Sequence, residues 1–255
     1  MSMETEILVG AVGLFLIMLV GFEYGHRVGK DWAEKEDKTR GVNAVEGAVF
    51  ALFGLVLAFS FSSASDRLEH RRELVVREAS AIEVAFMRLD LLPDVQAATM
   101  RVAFRDYVDA RINIYRDYRD ENSFGVDLLE ADRQKERIWD ELMKGRLSNE
   151  AALLVVPAVN EMFDSGTART VALQTHLPWL ITAFLVGLAV ISAVLAGRAL
   201  YGPKGGWFHR MLFSAVIALT VYVVIDLDHP RSGFIRVGAA EQAFKDLREE
   251  MMRDR

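Results

Sequence analysis

Four apolar stretches stand out along the chain, Ile7 to Phe22, Gly47 to Ser63, Leu177 to Leu200 and Met211 to Ile225, each bounded by charged segments. A helix needs roughly 20 mostly apolar residues to cross about 30 Å of hydrocarbon. The third stretch meets that without a charge until Arg198. The first and fourth are shorter and draw on flanking residues such as Trp207, Phe208 and Leu227 at the interface. The pattern therefore predicts an all-α protein with four transmembrane helices.

Between the second and third stretches, residues 64-176 keep helical spacing, are rich in Glu, Asp and Arg, and lack strand signals. This predicts a helical extramembrane insert. Ser65 to Leu92 has no Gly or Pro, so the second span continues as one long helix with Leu68, Val75, Ile82, Phe86 and Leu89 as its apolar stripe. Pro93 stops it. A new helix starting beside Asp94 carries Phe104, Tyr107, Val108, Arg111, Ile114 and Tyr118 on one stripe and runs to about Arg119. Asn122, Ser123 and Gly125 read as a turn, after which Asp127 to Lys144 resumes helical spacing through Leu128, Ala131, Ile138 and Leu142. Ser148 is positioned as an N-cap for the next helix, Pro157 predicts a kink, and Ser165–Gly166 predicts a break. Phe234, Val237, Phe244 and Leu247 mark an amphipathic tail helix that lies on the membrane or docks on the insert. The expected division is 1-63 for the first two spans with their loop, 64-176 for the insert, 177-227 for the last two spans and 228-255 for the tail.

In a chain of 255 residues that is 52% hydrophobic and 26% charged, such segregation puts two environments on one polypeptide. A net charge of −6 leaves no broad basic surface, which argues against nucleic acid as a partner. The absence of cysteine removes disulfides and thiolate metal sites. Met1 to Glu6 holds no Lys or Arg and no small-residue cleavage site follows Phe22, so the first stretch is read as a retained helix. The five His have no metal-ligand spacing, and neither H-E-x-x-H, G-x-S-x-G nor a phosphate-cradling glycine loop occurs. The expectation is no enzyme, no cofactor and no metal. Lys and Arg in the first and third loops favour both termini and the insert outside, whereas Arg67, Arg71, Arg72 and Arg77 beyond the second span weigh the other way.

One face of the second span reads Glu46, Phe50, Phe53, Leu57, Ser60, Ala64, Arg67 and Arg71, a candidate pore wall whose rings narrow a pathway and whose guanidiniums attract anions. The alternative is a lipid-facing stripe followed by a solvated charged helix. The neighbouring face, Gly47, Ala51, Gly54, Ala58, Ser62 and Ser65, has the small spacing of a helix–helix seam. Gly21, Gly25 and Gly29 repeat that spacing in the first span, with Glu23, His26 and Arg27 among them. The densest polar cluster runs from Asp226 to Gly233. Asp226, Asp228 and Arg231 there line a permeation mouth, hold a cation or form an internal salt bridge, or else simply end the helix before Pro230.

Glu46 with Ala51-Leu52-Phe53-Gly54 and Ala58-Phe59-Ser60-Phe61-Ser62, then Arg71-Arg72, Glu78-Ala79 and Asp90-Leu91-Leu92-Pro93, and finally Asp226 to Gly233 resemble a bacterial membrane-protein family with a bestrophin-like domain. The resemblance covers nearly the whole chain. It implies four spans, a helical insert and residence in the bacterial inner membrane. Bestrophins proper are pentameric anion channels whose second spanning helix lines a phenylalanine-rich neck, which implies similar roles for Phe50, Phe53 and Phe61, a homo-oligomer, and small ions as permeants. Their calcium-sensing acidic cluster has no counterpart that aligns here. Bestrophins keep their helical bulk in the cytosol, opposite to the loop charges. A channel is therefore expected, and a non-conducting membrane-anchored interaction or scaffold protein is the rival reading. A transporter would need inverted repeats or broken spans, which the pattern lacks.

Overall fold

The computed structural model describes residues 3–33, 39–117, 121–145, 147–200, 207–229 and 238–253, all of them helical or in short connections. The helices are α1 (Met3–Ala33), α2 (Thr39–Met87), α3 (Asp94–Asp117), α4 (Glu121–Lys144), α5 (Asn149–Gln174), α6 (Trp179–Ala199), α7 (Trp207–Asp228) and α8 (Gly238–Arg253). A single 3-10 turn, Arg88–Leu91, ends α2 ahead of Pro93. Four helical segments are long and apolar enough to cross a bilayer, Thr5–Gly29, Ala44–Leu91, Asn149–Ala199 and Trp207–Asp228.

The chain clusters into two compact units, Met1–Arg67 with His176–Ile235, and Leu68–Thr175 with Arg236–Arg255. The long α2 contributes its first part to one and its second part to the other. In the first unit, α1 packs along α6 and α7. The small residues at the α1–α6 crossing are what allow this: a Cβ on Gly25 would lie 1.9 Å from the Val194 carbonyl oxygen, and one on Gly197 would lie 2.0 Å from that of Phe22. By contrast, α2 meets its neighbours through large side chains. Phe53 lies buried among Leu14, Met18, Leu185, Leu188 and Val221, and Phe50 meets Phe213 edge-on at 6.5 Å.

The second unit is a helical core. The stripe expected on α3 is buried from Phe104 through Ile114, with Tyr118 outside the described residues, and Ala131, Ile138 and Leu142 of α4 are buried beside it. Ser148 caps α5 by accepting from the Ala151 N–H at 3.1 Å. The tail helix α8 docks within this unit: Phe244 and Leu247 are buried, Arg105 donates to the Met251 carbonyl at 2.6 Å, and Arg248 pairs with Asp109. Phe234 and Val237 lie outside the described residues.

Two local expectations are corrected. Asn122, Ser123 and Gly125 belong to the first turns of α4, where the polar residues sit near the helix start instead of in a loop. Ser165–Gly166, expected to break the helix, lie inside an uninterrupted α5, which also contains Pro157. Ser165 satisfies its hydroxyl on the Met162 carbonyl at 2.9 Å. Gly166 is retained for close approach, since a Cβ there would lie 2.7 Å from the Tyr107 hydroxyl. Tertiary packing outweighs the helix-breaking tendency of both residues.

Candidate functional site

The candidate site is the membrane part of α2 and the polar groups at its two ends. At one end, Arg198 of α6 pairs with Glu46 at 3.5 Å, and Arg210 of α7 pairs with Glu23, which also accepts from Arg27 at 3.0 Å. At the other end, the Arg67 Nε donates to the Asp228 Oδ1 at 2.8 Å while its Nη1 donates to the Ser63 hydroxyl at 2.7 Å. Asp228 is buried, and its second oxygen accepts the Leu177 N–H at 2.8 Å. The carboxylate therefore ties the end of α7 to α2 and to the connection leading into α6. Beside it, Tyr222 donates to Asp226 at 3.2 Å, and the His229 ring lies against the His176 ring with centroids 4.8 Å apart.

The spacing of these pairs matches a bilayer. Glu46 and Arg67 are 21 residues apart on α2, about 31 Å at the α-helical rise, against roughly 30 Å of hydrocarbon. Arg210 and Asp228 mark a similar interval on α7. Ionised groups sit where they reach water or a partner, and the segment between them is left to apolar contact.

The residues read as a pore wall divide by burial. Phe53, Ser60 and Arg71 are buried within the chain, and Phe50 and Leu57 are half-buried against the helix core. Arg71 donates to the carbonyls of Ala172 and Thr175, at 3.0 and 2.6 Å, and so closes the carboxyl end of α5. Arg67 is engaged by Asp228. The side of α2 turned away from this core carries Gly47, Ala51, Gly54, Leu55, Ala58 and Ser62, all exposed in the single chain, and a Cβ on Gly54 would meet nothing within 4 Å. Phe53, Ser60 and Arg71 of the wall expected from sequence thus lie in the chain's own interior, and the small-residue face is exposed among the described residues. Of the polar boundary motif, Glu46 pairs with Arg198, Asp228 with Arg67, and Asp226 accepts from Tyr222, while Arg231 lies outside the described residues.

Family comparison agrees with this architecture: a model of the bestrophin-like domain matches residues 12–241. The chain belongs to the bestrophin-like family. It is a multi-pass membrane protein with the family's all-helical fold. Solved structures with the same fold include two substituted forms of a bacterial bestrophin homolog from Klebsiella pneumoniae. One has a TM-score of 0.72 at 15% identity, covering 96% of this chain and 97% of that one. The other has a TM-score of 0.66 at 15% identity, covering 97% and 99%. A third structure of that homolog, solved by zinc phasing, gives a TM-score of 0.62 at 15% identity and covers 96% and 98%. No curated protein matches the chain in sequence.

A second polar cluster, within the other unit, escaped the sequence reading. Glu78 of α2 is fully buried and accepts from Arg111 of α3 and, at 2.7 Å, from Arg169 of α5. Arg111 also donates to the Gly166 carbonyl at 2.9 Å and the Thr170 hydroxyl at 3.0 Å, and Arg169 lies 4.7 Å over the Phe244 ring of α8. Burial works against the charge on Arg111, but the adjacent Glu78 outweighs it and holds the guanidinium protonated. Next to them the Tyr107 hydroxyl is buried with no hydrogen-bond partner among the described residues, and burial pushes the phenol well above its usual range. One signal for this cluster was present in the sequence: Arg111 occupies a position in the apolar stripe of α3, where an arginine requires a buried counter-charge.

Proposed function

We propose that the chain is the subunit of a homo-oligomeric ion channel in which α2 lines the permeation pathway, with five subunits and anion selectivity as the bestrophin resemblance implies. The observation that carries this is the two-sided character of α2. Its Phe50, Phe53 and Leu57 side is seated on α1, α6 and α7, and ion pairs through Glu46 and Arg67 fix both ends. The opposite side, Ala51, Leu55, Ala58 and Ser62, is left for neighbouring copies and a shared axis.

In this reading Phe50, Phe53 and Leu57 back the pathway and set the position of α2, and Leu55, which is exposed like Leu52 and Phe59, forms the narrow ring. Apolar rings of this kind gate by dewetting. Arg67 and Arg71 lie beyond the apolar part of α2, where they are held by Asp228 and by the α5 carbonyls.

Protein reconstituted into liposomes is expected to carry an anion current. Leu55→Ala is expected to raise it by at least about threefold with no change in melting temperature, because a wider ring removes a dewetting barrier. Phe53→Ala is expected to lower stability by about 3–5 kcal/mol, as removal of a buried aromatic does. Absence of any flux from folded, oligomeric protein overturns the channel reading.

The non-conducting interaction module has support of its own. Val95, Val126, Leu129 and Leu153 of the helical unit are highly exposed for apolar residues. Flux in liposomes separates the two readings.

A further inference from the structure

The helical unit has an open groove on one pair of helices and an exposed apolar ridge on another. The groove, of about 500 Å³, runs between α2 and α5 and is lined by Ser80, Ala81 and Val84 on one side and Pro157 and Ala158 on the other. Arg77, joined to Glu161 at 2.7 Å, closes one end. Arg88 stands at the other, where its Nη1 donates to the Leu154 carbonyl at 2.7 Å. The small residues leave room, and the apolar side chains beside them, Val84 and Leu154, are 38% and 47% exposed.

The ridge is the outer face of α4. Burial of Ala131, Ile138 and Leu142 on one side of this helix turns Val126, Leu129 and Met143 to the other, where they are 65%, 61% and 48% exposed. Asp140 lies on the same face and is exposed. Groove and ridge are complementary in charge as well as in shape: neither Arg88 nor Asp140 forms an ion pair among the described residues, and they have opposite signs.

Contacts within the unit fix the helix directions. Arg77 meets Glu161 while Arg88 meets Leu154, so α2 and α5 are antiparallel. Tyr107 packs on Phe163 and Arg111 donates to Thr170, so α3 runs with α5. Gln96 donates to the Glu141 carbonyl at 2.9 Å and Arg137 pairs with Asp106 at 2.8 Å, so α4 runs against α3 and therefore with α2. Rotation about an axis directed along α2 preserves that direction. The α4 of a neighbouring copy then reaches the groove parallel to α2. Eleven residues separate Leu129 from Asp140, as they do Arg77 from Arg88, about 17 Å on each helix. With Asp140 beside Arg88, Leu129 therefore stands level with Arg77.

We propose that the groove between α2 and α5 seats α4 of the next copy of the chain, with Asp140 paired to Arg88 across the interface. This rests on the homo-oligomer reading and deepens it by naming the two faces that meet. A helix laid into a groove reads its anchors at helical spacing, here Leu129 and Met143. The two faces are different surfaces, so the contact is head-to-tail and closes into a ring when the rotation allows.

The chain has no cysteine, so thiol crosslinking in membranes tests the contact directly. Ser80→Cys on the groove and Arg133→Cys on α4 are both exposed positions. With a short bismaleimide, the double variant is expected to give covalent species of two, three and more subunits. Each single variant alone is expected to stay a monomer, and the two single variants co-expressed are expected to give two-subunit species only. Linked species from one single variant alone place the same face on both sides and overturn the head-to-tail contact, and a double-variant ladder that stops at two subunits overturns the ring. Asp140→Lys is expected to lower the yield about threefold, the scale of an exposed ion pair, and Arg88→Asp added to it is expected to restore the yield. An unchanged yield in Asp140→Lys overturns the register. Mass photometry of the same samples separates the two levels of the argument: oligomers without crosslinks overturn this interface alone, whereas monomers throughout overturn the homo-oligomer reading with it.

Discussion

The two units of this molecule keep their charges in opposite places. In the membrane unit the ion pairs Glu46–Arg198, Glu23–Arg210 and Arg67–Asp228 stand at the ends of the helices, and the packed centre is Leu14, Met18, Phe53, Leu185 and Val221. In the helical unit the least exposed ion pairs are at the centre, where Glu78 bridges Arg111 and Arg169. The outer surface of a spanning helix faces lipid, so a charge midway along it has neither water nor counter-ion, and only the two ends are permissive. A helix bundle in water can place a charge in its core if every polar atom there is matched, and a partly matched network is a cost. The comparison teaches that the same side-chain chemistry, arginine with carboxylate, delimits one unit and organises the other.

The largest effect expected from breaking this contrast is in the helical core. Glu78→Ala leaves two buried guanidiniums without their carboxylate and is expected to cost about 3–5 kcal/mol, read as a drop in denaturation midpoint. If the loss is no greater than for an exposed carboxylate such as Glu136, the central role of the network is wrong. Close apposition in the membrane unit comes next. Gly25→Ala forces α1 away from the backbone of α6, with an expected loss of about 1–3 kcal/mol, visible as a lower melting temperature in detergent.

The boundary pair is expected to be weaker, because Arg67 is 21% exposed. Arg67→Met and Asp228→Asn are each expected to destabilise by about 1–3 kcal/mol, and a double-mutant cycle should recover a coupling between them. Additive effects would remove the pair as the tie between α2 and α7.

The smallest effect sharpens the view of the core. Tyr107→Phe removes a buried hydroxyl that has no partner among the described residues, so the variant is expected to equal the parent at neutral pH or exceed it by about 1 kcal/mol. The alkaline limb should differ more. A phenol whose pKa is raised by burial contributes its full stability below the ordinary tyrosine range near pH ~10, and that contribution falls as pH rises through the folded value. The Phe variant should lose less stability above pH ~10 than the parent. A parallel loss in both, followed by urea unfolding across that range, would assign the alkaline limb to other groups.

Much of the fold was legible. The α2 continuation through Leu68, Val75, Ile82 and Leu89, the stop at Pro93 and the Ser148 cap follow from local pattern and appear as expected. Gly21 and Gly25 declared a close approach that α6 supplies. The break expected at Ser165–Gly166 did not occur, because burial of α5 against α3 compensates for weak local propensity there. The candidate site was less legible. Periodicity identified the faces of α2, yet it carries no sign for which face a neighbour will cover, and in the structure the phenylalanine face turns inward.

The sequence by itself determined that this is an all-helical membrane protein with four spans, and that charge is excluded from their centres, because transfer of apolar and ionised side chains between water and lipid depends on composition over a single helix length. Only the tertiary structure decided that Arg67 meets Asp228, that Glu78 joins Arg111 to Arg169, and that Gly47, Ala51 and Ser62 are left uncovered. Those contacts join residues distant in the chain, and their geometry is set by how whole helices pack, which no local window records.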